Sequence, residues 1–109
     1  MAYDEGLAEI IRNELQGIPG ISEKKMFGGL CFLLHGNMVC GVHAGGGMAR
    51  VGKDNEHLAL AIRGVAPLSF TGRKMGGMVD VSDETYADDA LRVQIVTMAL
   101  EYAKSLPAK

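Results

Sequence analysis

The chain has no excess of basic residues, no long apolar run and hardly any cysteine. Lys and Arg number 11 against 13 Asp and Glu, for a net charge of −2 and a pI of about 5.9. Proteins that grip duplex DNA by neutralising phosphates carry a basic excess or stripe, so this balance weighs against DNA as a direct partner. No run of 18 apolar residues occurs, which excludes a helical membrane span. The opening Met1-Ala2-Tyr3-Asp4-Glu5 lacks the basic-then-apolar order of a secretory signal. Two cysteines in such a chain read as reduced thiols, and the expected compartment is the cytoplasm. Linkers and low-complexity tracts are missing too, so residues 1–109 are expected to form one domain around one core. A hydrophobic content of 48% is enough to make that core.

A helix is expected from about Tyr3 to Gln16, with Leu7, Ile10, Ile11 and Leu15 on one face. Gly17 and Pro19-Gly20 stop it. Next comes a glycine-punctuated antiparallel region. A short strand at Lys25–Phe27 precedes an apolar strand from Leu30 to Leu34. Gly36-Asn37 reads as a two-residue turn, Met38–Val42 as the return strand and Met48–Val51 as a further strand after Gly45-Gly46-Gly47. A short helix follows, capped by Asp54 or Asn55, with Leu58, Ala61 and Ile62 inward and Gly64 at its end. Residues 65–77 read as a connection and Met78–Val81 as a short strand. Asp88 or Asp89 caps the final helix, whose stripe is Leu91, Ile95, Met98, Ala99, Tyr102 and Leu106. The expected fold is α+β in the order α-β-β-β-β-α-β-α, an antiparallel sheet of about five short strands with helices on one face.

One phrase occurs twice, each time before an apolar strand: Lys24-Lys25-Met26-Phe27-Gly28-Gly29 and Arg73-Lys74-Met75-Gly76-Gly77. Lys24, Lys25, Arg50, Arg73 and Lys74 all flank strands and form a candidate patch for an anion or an acidic partner. The competing reading is a set of solvated cations guarding strand edges. Gly52-Lys53, entering the short helix, is a weaker anion-site candidate for which Asp54 competes.

No catalytic or metal constellation is complete. Cys31, His35, Cys40 and His43 are zinc-type ligands, but Cys31 and His35 lie roughly 13 Å apart along one strand. With Gly36-Asn37 as the turn, His35 opposes Met38 and Leu33 opposes Cys40. Cys31, Cys40 and His35 then share a face and His43 takes the other. Cys31 and Cys40 become diagonal neighbours roughly 7 Å apart, too far for a disulfide. Burial in apolar strands raises a thiol pKa, which disfavours a nucleophile. Asp80, Asp83, Glu84, Asp88 and Asp89 lack the alternating order of a calcium loop. No cofactor and no enzymatic activity are expected.

Lys25-Met26-Phe27-Gly28-Gly29, Gly36-Asn37-Met38, Arg50-Val51-Gly52, Phe70-Thr71-Gly72-Arg73-Lys74-Met75, Met78-Val79-Asp80-Val81 and Ser105-Leu106-Pro107 together resemble the TfoX N-terminal domain family. The likeness extends over nearly the whole chain. It implies an α+β fold of the secretion-chaperone kind, a capacity to form homodimers and a place among proteins like the regulators of bacterial competence genes. It carries no catalytic residues across. The full-length regulators have a further C-terminal helical domain, so a stand-alone N-terminal domain is expected here. The expected function is that of a small regulatory or adaptor protein working through protein–protein contacts. The alternatives are an anion or small-ligand binding module using the basic rim and a nucleic-acid-associated regulator.

Overall fold

The computed structural model describes residues 3–26, 28–70 and 73–108, without the side chains at 26, 69, 70 and 73–75. Its elements run α1 (Glu5–Glu14), β1 (Ile21–Met26), β2 (Gly29–Leu34), β3 (Asn37–His43), β4 (Gly46–Arg50), a 3-10 turn (Lys53–Asn55), α2 (Glu56–Leu60), β5 (Val65–Phe70), β6 (Arg73–Val81), α3 (Asp83–Ala87) and α4 (Asp89–Lys104). The fold is α+β with an antiparallel sheet, as the sequence implies, but with six strands in the order β1-β2-β3-β4-β6-β5. The added strand is β5, within the stretch expected to be a connection. Pro67 sits in it, which is tolerable because β5 is an edge strand and bonds on one side only. Phe27 and Thr71-Gly72 lie outside the described residues.

Local chemistry explains the ends of the helices. The Asp4 carboxylate accepts hydrogen bonds from the Gly6 and Leu7 amides at 2.8 and 3.2 Å and starts α1. Asp88 does the same for α4 through the Leu91 amide at 3.0 Å, as the sequence suggests. Ser82 caps α3 through the Thr85 amide. Asp54 and Asn55 make no such cap for the short helical segment. Asn55 instead reaches back to the Val51 carbonyl.

The main core lies between one face of the sheet and the helices. Leu7, Ile11 and Leu15 of the first helical segment meet Phe32, Val42, Val51, Val79 and Val81 of the sheet, and Tyr86 and Ile95 close it. The side of α4 that faces inward differs from the expected stripe. Arg92, Ile95, Val96, Ala99 and Ala103 are buried. Arg92 holds this position because its fork is fully used: Nε donates to Glu14 at 3.1 Å, one terminal nitrogen to the Tyr86 carbonyl at 3.0 Å and the other to Asp89 at 2.6 Å. Burial pulls its pKa down, yet the bonds to Asp89 and Glu14 outweigh that and leave it raised. After the short helix, Ile62 packs against the core as expected, but Leu58 is half exposed and Ala61 exposed, and Ala59 faces inward in their place.

The β2–β3 hairpin departs from the expected register. Leu34 opposes Asn37, so the turn residues are His35-Gly36, both at positive φ (50° and 85°). A bulge then places Phe32 opposite Cys40 and Leu33 opposite Met38. The extra residue lets both Val39 and Cys40 face the helices. Cys31 belongs to a second buried cluster with Met48, Leu68 and Met78 on the opposite face of the sheet. The two cysteines therefore do not share a face, and both are free thiols.

Candidate functional site

The sheet disperses the five candidate cations. Lys24 pairs with Cys31 and Lys25 with Leu30 on the edge strand β1. These partners belong to opposite faces of the sheet, so the two lysines also point to opposite faces, and both are exposed. Arg73 and Lys74 begin β6, with β2, β3 and β4 between that strand and β1. Lys25 lies level with Val81 across the sheet, and Arg73 is roughly 26 Å farther along β6 at ~3.3 Å per residue. The two basic phrases thus lie toward opposite sides and different ends of the sheet, the first on the edge strand β1 and the second on β6, inside the edge strand β5. Only the backbone of Arg73 and Lys74 is described.

Arg50 has a different setting. It closes β4 opposite Met78, and its guanidinium stands 5.3 Å from the centroid of the Tyr102 ring on α4. That is within cation–π range. The next residues turn sharply. Gly52 has φ +86°, and a Cβ there would meet the Tyr102 ring at 2.5 Å. Only glycine lets the ring lie against this backbone. The second glycine pair arrives from β6: the Gly77 carbonyl accepts from the Val51 and Gly52 amides at 2.9 and 3.0 Å. The Gly77 amide donates to Glu56 at 3.0 Å. The Lys53 side chain passes over Gly76, where a Cβ would meet its Cε at 3.0 Å.

These contacts frame a groove of about 560 Å³ between the end of β4, the turn into α2, the glycine pair of β6 and the last turns of α4. Arg50, Lys53, Asp54, Glu101 and Tyr102 line it. Of the three cations in the sequence-based patch whose side chains are described, Lys24, Lys25 and Arg50, Arg50 alone reaches this groove. Lys53 joins it, and Gly52-Lys53 was the sequence signal for that. Tyr102 gave no such signal, because a tyrosine at helical spacing reads as core until α4 is placed beside the end of β4.

Residues 13–103 match the TfoX N-terminal domain family model. The chain belongs to this family. The match takes in every strand, α2, α3 and all but the last residue of α4. Comparison with curated proteins finds no match, and comparison with solved structures finds none.

Other reactive groups of this TfoX N-terminal domain are held away from the groove. Burial pushes the Cys40 thiol up to about 12, aided by Cys31, and burial raises Cys31 as well. These shifts run opposite to those of an activated thiolate. His43 Nδ1 accepts from the Gly45 amide at 3.0 Å, so Nε2 carries the proton and faces Asp80 at 2.8 Å and the Gly47 carbonyl at 3.0 Å. Among the described residues no three His, Cys, Asp or Glu side chains come together as metal ligands. No helix among them is long and apolar enough to cross a membrane.

Proposed function

We propose that this TfoX N-terminal domain is a small regulatory or adaptor protein of the bacterial cytoplasm, related in role to competence regulators and acting through protein–protein contacts as a homodimer. The observation that carries this reading is the family match over residues 13–103. The charge distribution supports it. A net charge of −2, with Lys24 and Lys25 on opposite faces of β1, gives no continuous track for a phosphate backbone among the described side chains. The outer sides of β1 and β5 offer strand edges on which another chain can pair.

The test is affinity capture from native lysate with the tagged chain, followed by reconstitution with the purified candidate and by light scattering of the chain alone. A stoichiometric partner that rebinds in pure form is the expected result, with a dimer mass for the free chain. Recovery of the chain by itself rejects the adaptor role, and a monomer mass rejects the homodimer. Transcript levels of competence genes in a deletion strain test the regulatory part. Unchanged levels would remove the competence link while leaving the adaptor role to the capture result.

A further inference from the structure

We infer that the Arg50 groove is a binding site for a small carboxylate-bearing molecule carrying a single negative charge. This inference rests on the groove and not on the adaptor reading.

Four observations lead to it. Among the described residues, no carboxylate, hydroxyl or carbonyl takes a hydrogen bond or ion pair from the Arg50 guanidinium. Its neighbour is the Tyr102 ring, 5.3 Å away, a contact that leaves its N–H donors unused. Arg50 is half-buried and lines the groove. Arg12 and Arg92, by contrast, have their forks engaged by carboxylates of this chain. An arginine at a cavity with its donors unused is suited to take a carboxylate in a bidentate pair.

The shape of the site adds a size. A volume of about 560 Å³ is in the range of small-molecule sites. Its floor is backbone at Gly52, Gly76 and Gly77, where side chains would run into Tyr102 or Lys53. Those glycines serve the packing of Tyr102 and Lys53, the two side chains that stand beside Arg50 in the lining.

Charge sets the class. Lys53 adds a second cation to the lining, but Asp54 and Glu101 add two carboxylates. Among the described lining residues the ionisable charges balance, so a monoanion gains the Arg50 pair without strong opposition. A phosphate dianion meets Asp54 and Glu101 with twice the charge. A planar carboxylate also matches the guanidinium fork in two parallel bonds.

The experiment follows the Arg50 side-chain Nε–Hε resonance of the full-length chain during titration with sodium benzoate and, separately, with inorganic phosphate at constant ionic strength. Benzoate is expected to shift that resonance saturably and to bind more tightly than phosphate. Arg50→Met should weaken benzoate, followed on backbone amides of residues 52, 53, 76 and 77, by about tenfold or more, the scale of a charge-assisted hydrogen-bonded pair. Lys53→Met changes an exposed side chain and serves if Arg50→Met fails to fold; it should weaken both anions. Glu101→Gln should narrow the gap between phosphate and benzoate. No saturable shift with either anion, or shifts indifferent to Arg50→Met and Lys53→Met, would overturn the site. Phosphate binding as tight as benzoate in the unaltered chain would overturn the assignment of class.

Discussion

Gly47 shows how much a single residue decides in this chain. A Cβ there would lie 2.3 Å from the Tyr86 ring and 2.8 Å from the Gly41 carbonyl. Tyr86 is fully buried, and its hydroxyl donates to the Met48 carbonyl at 2.6 Å, so the ring has no room to retreat. Gly47→Ala is therefore expected to cost roughly 2–3 kcal/mol, the range of overpacked cores. Gly45→Ala is the control: its Cβ would stand 3.6 Å from His43, an ordinary contact, and should cost less than about 0.5 kcal/mol. Urea denaturation of the two variants checks the contrast. In the sequence the three glycines at 45–47 look alike. What separates Gly47 from Gly45 is Tyr86, a residue 39 positions beyond Gly47, so that difference becomes legible only when α3 is packed on β4. Arg92 is a second case. At the sequence level it is a charge beside an apolar stripe, and its burial depends on Glu14, 78 residues away.

At the scale of elements, the Asp88 cap of the last helix is legible in the sequence, whereas the expected Asp54 or Asn55 cap does not form and the tertiary adjustments leave no local mark. Asp4 and Asp88 cap helices because a carboxylate next to an amphipathic run satisfies free amides whatever surrounds it. The hairpin turn moved by one residue because the bulge at Phe32/Leu33 pays for burying both Val39 and Cys40, and no spacing rule announces a bulge. The edge strand β1 depends on a different tertiary tie. Arg12 of α1 grips Glu23 of β1 with two parallel bonds, at 2.6 Å to one carboxylate oxygen and 3.0 Å to the other, and also pairs with Glu9. That bond holds the Glu23 carboxyl below its ordinary value of 4.5. A lowered carboxyl stabilises above its unfolded pKa and loses that contribution as pH falls through the folded one. Glu23→Gln should therefore speed hydrogen exchange of β1 amides at pH 7 while amides of β3 and β4 keep their protection. In the unaltered chain β1 protection, corrected for intrinsic rates, should decline as pH drops below about 4.5. Equal loss across the whole sheet would show that the tie belongs to global stability and not to the edge. The expected outcome follows from the position of β1, which bonds to β2 alone, and from the low stability of such edges.

For the molecule as a whole, the core that builds the fold also sets its limit in alkali. Cys40 has no exposed surface, and burial first, then Cys31, lifts its thiol from 9.0 to about 12. Tyr86 is equally buried, and burial followed by its neighbours Cys40 and Asp80 raises it well above 10.0. In the unfolded chain both groups titrate near their ordinary values. Between the unfolded and folded pKa values the unfolded state binds fewer protons, so stability falls as pH rises. Each such group contributes a slope of about 1.4 kcal/mol per pH unit. The contribution is complete below about pH 9, declines from there through Cys40, and declines about twice as steeply once Tyr86 joins above pH 10. By pH 12 the two groups together remove about 7 kcal/mol, a large share of the roughly 5–15 kcal/mol a domain of this size has in hand. Urea denaturation at intervals from pH 8 to 11, followed by circular dichroism, measures the slope. Cys40→Ala should be less stable than the parent at pH 7, because it leaves a small cavity. Its stability should nevertheless fall less between pH 9 and 10, since the first of the two groups is gone. Tyr86→Phe should flatten the steeper region above pH 10 instead. A parent slope that neither variant alters would assign alkaline unfolding to surface charge, and the two buried groups would have no part in it.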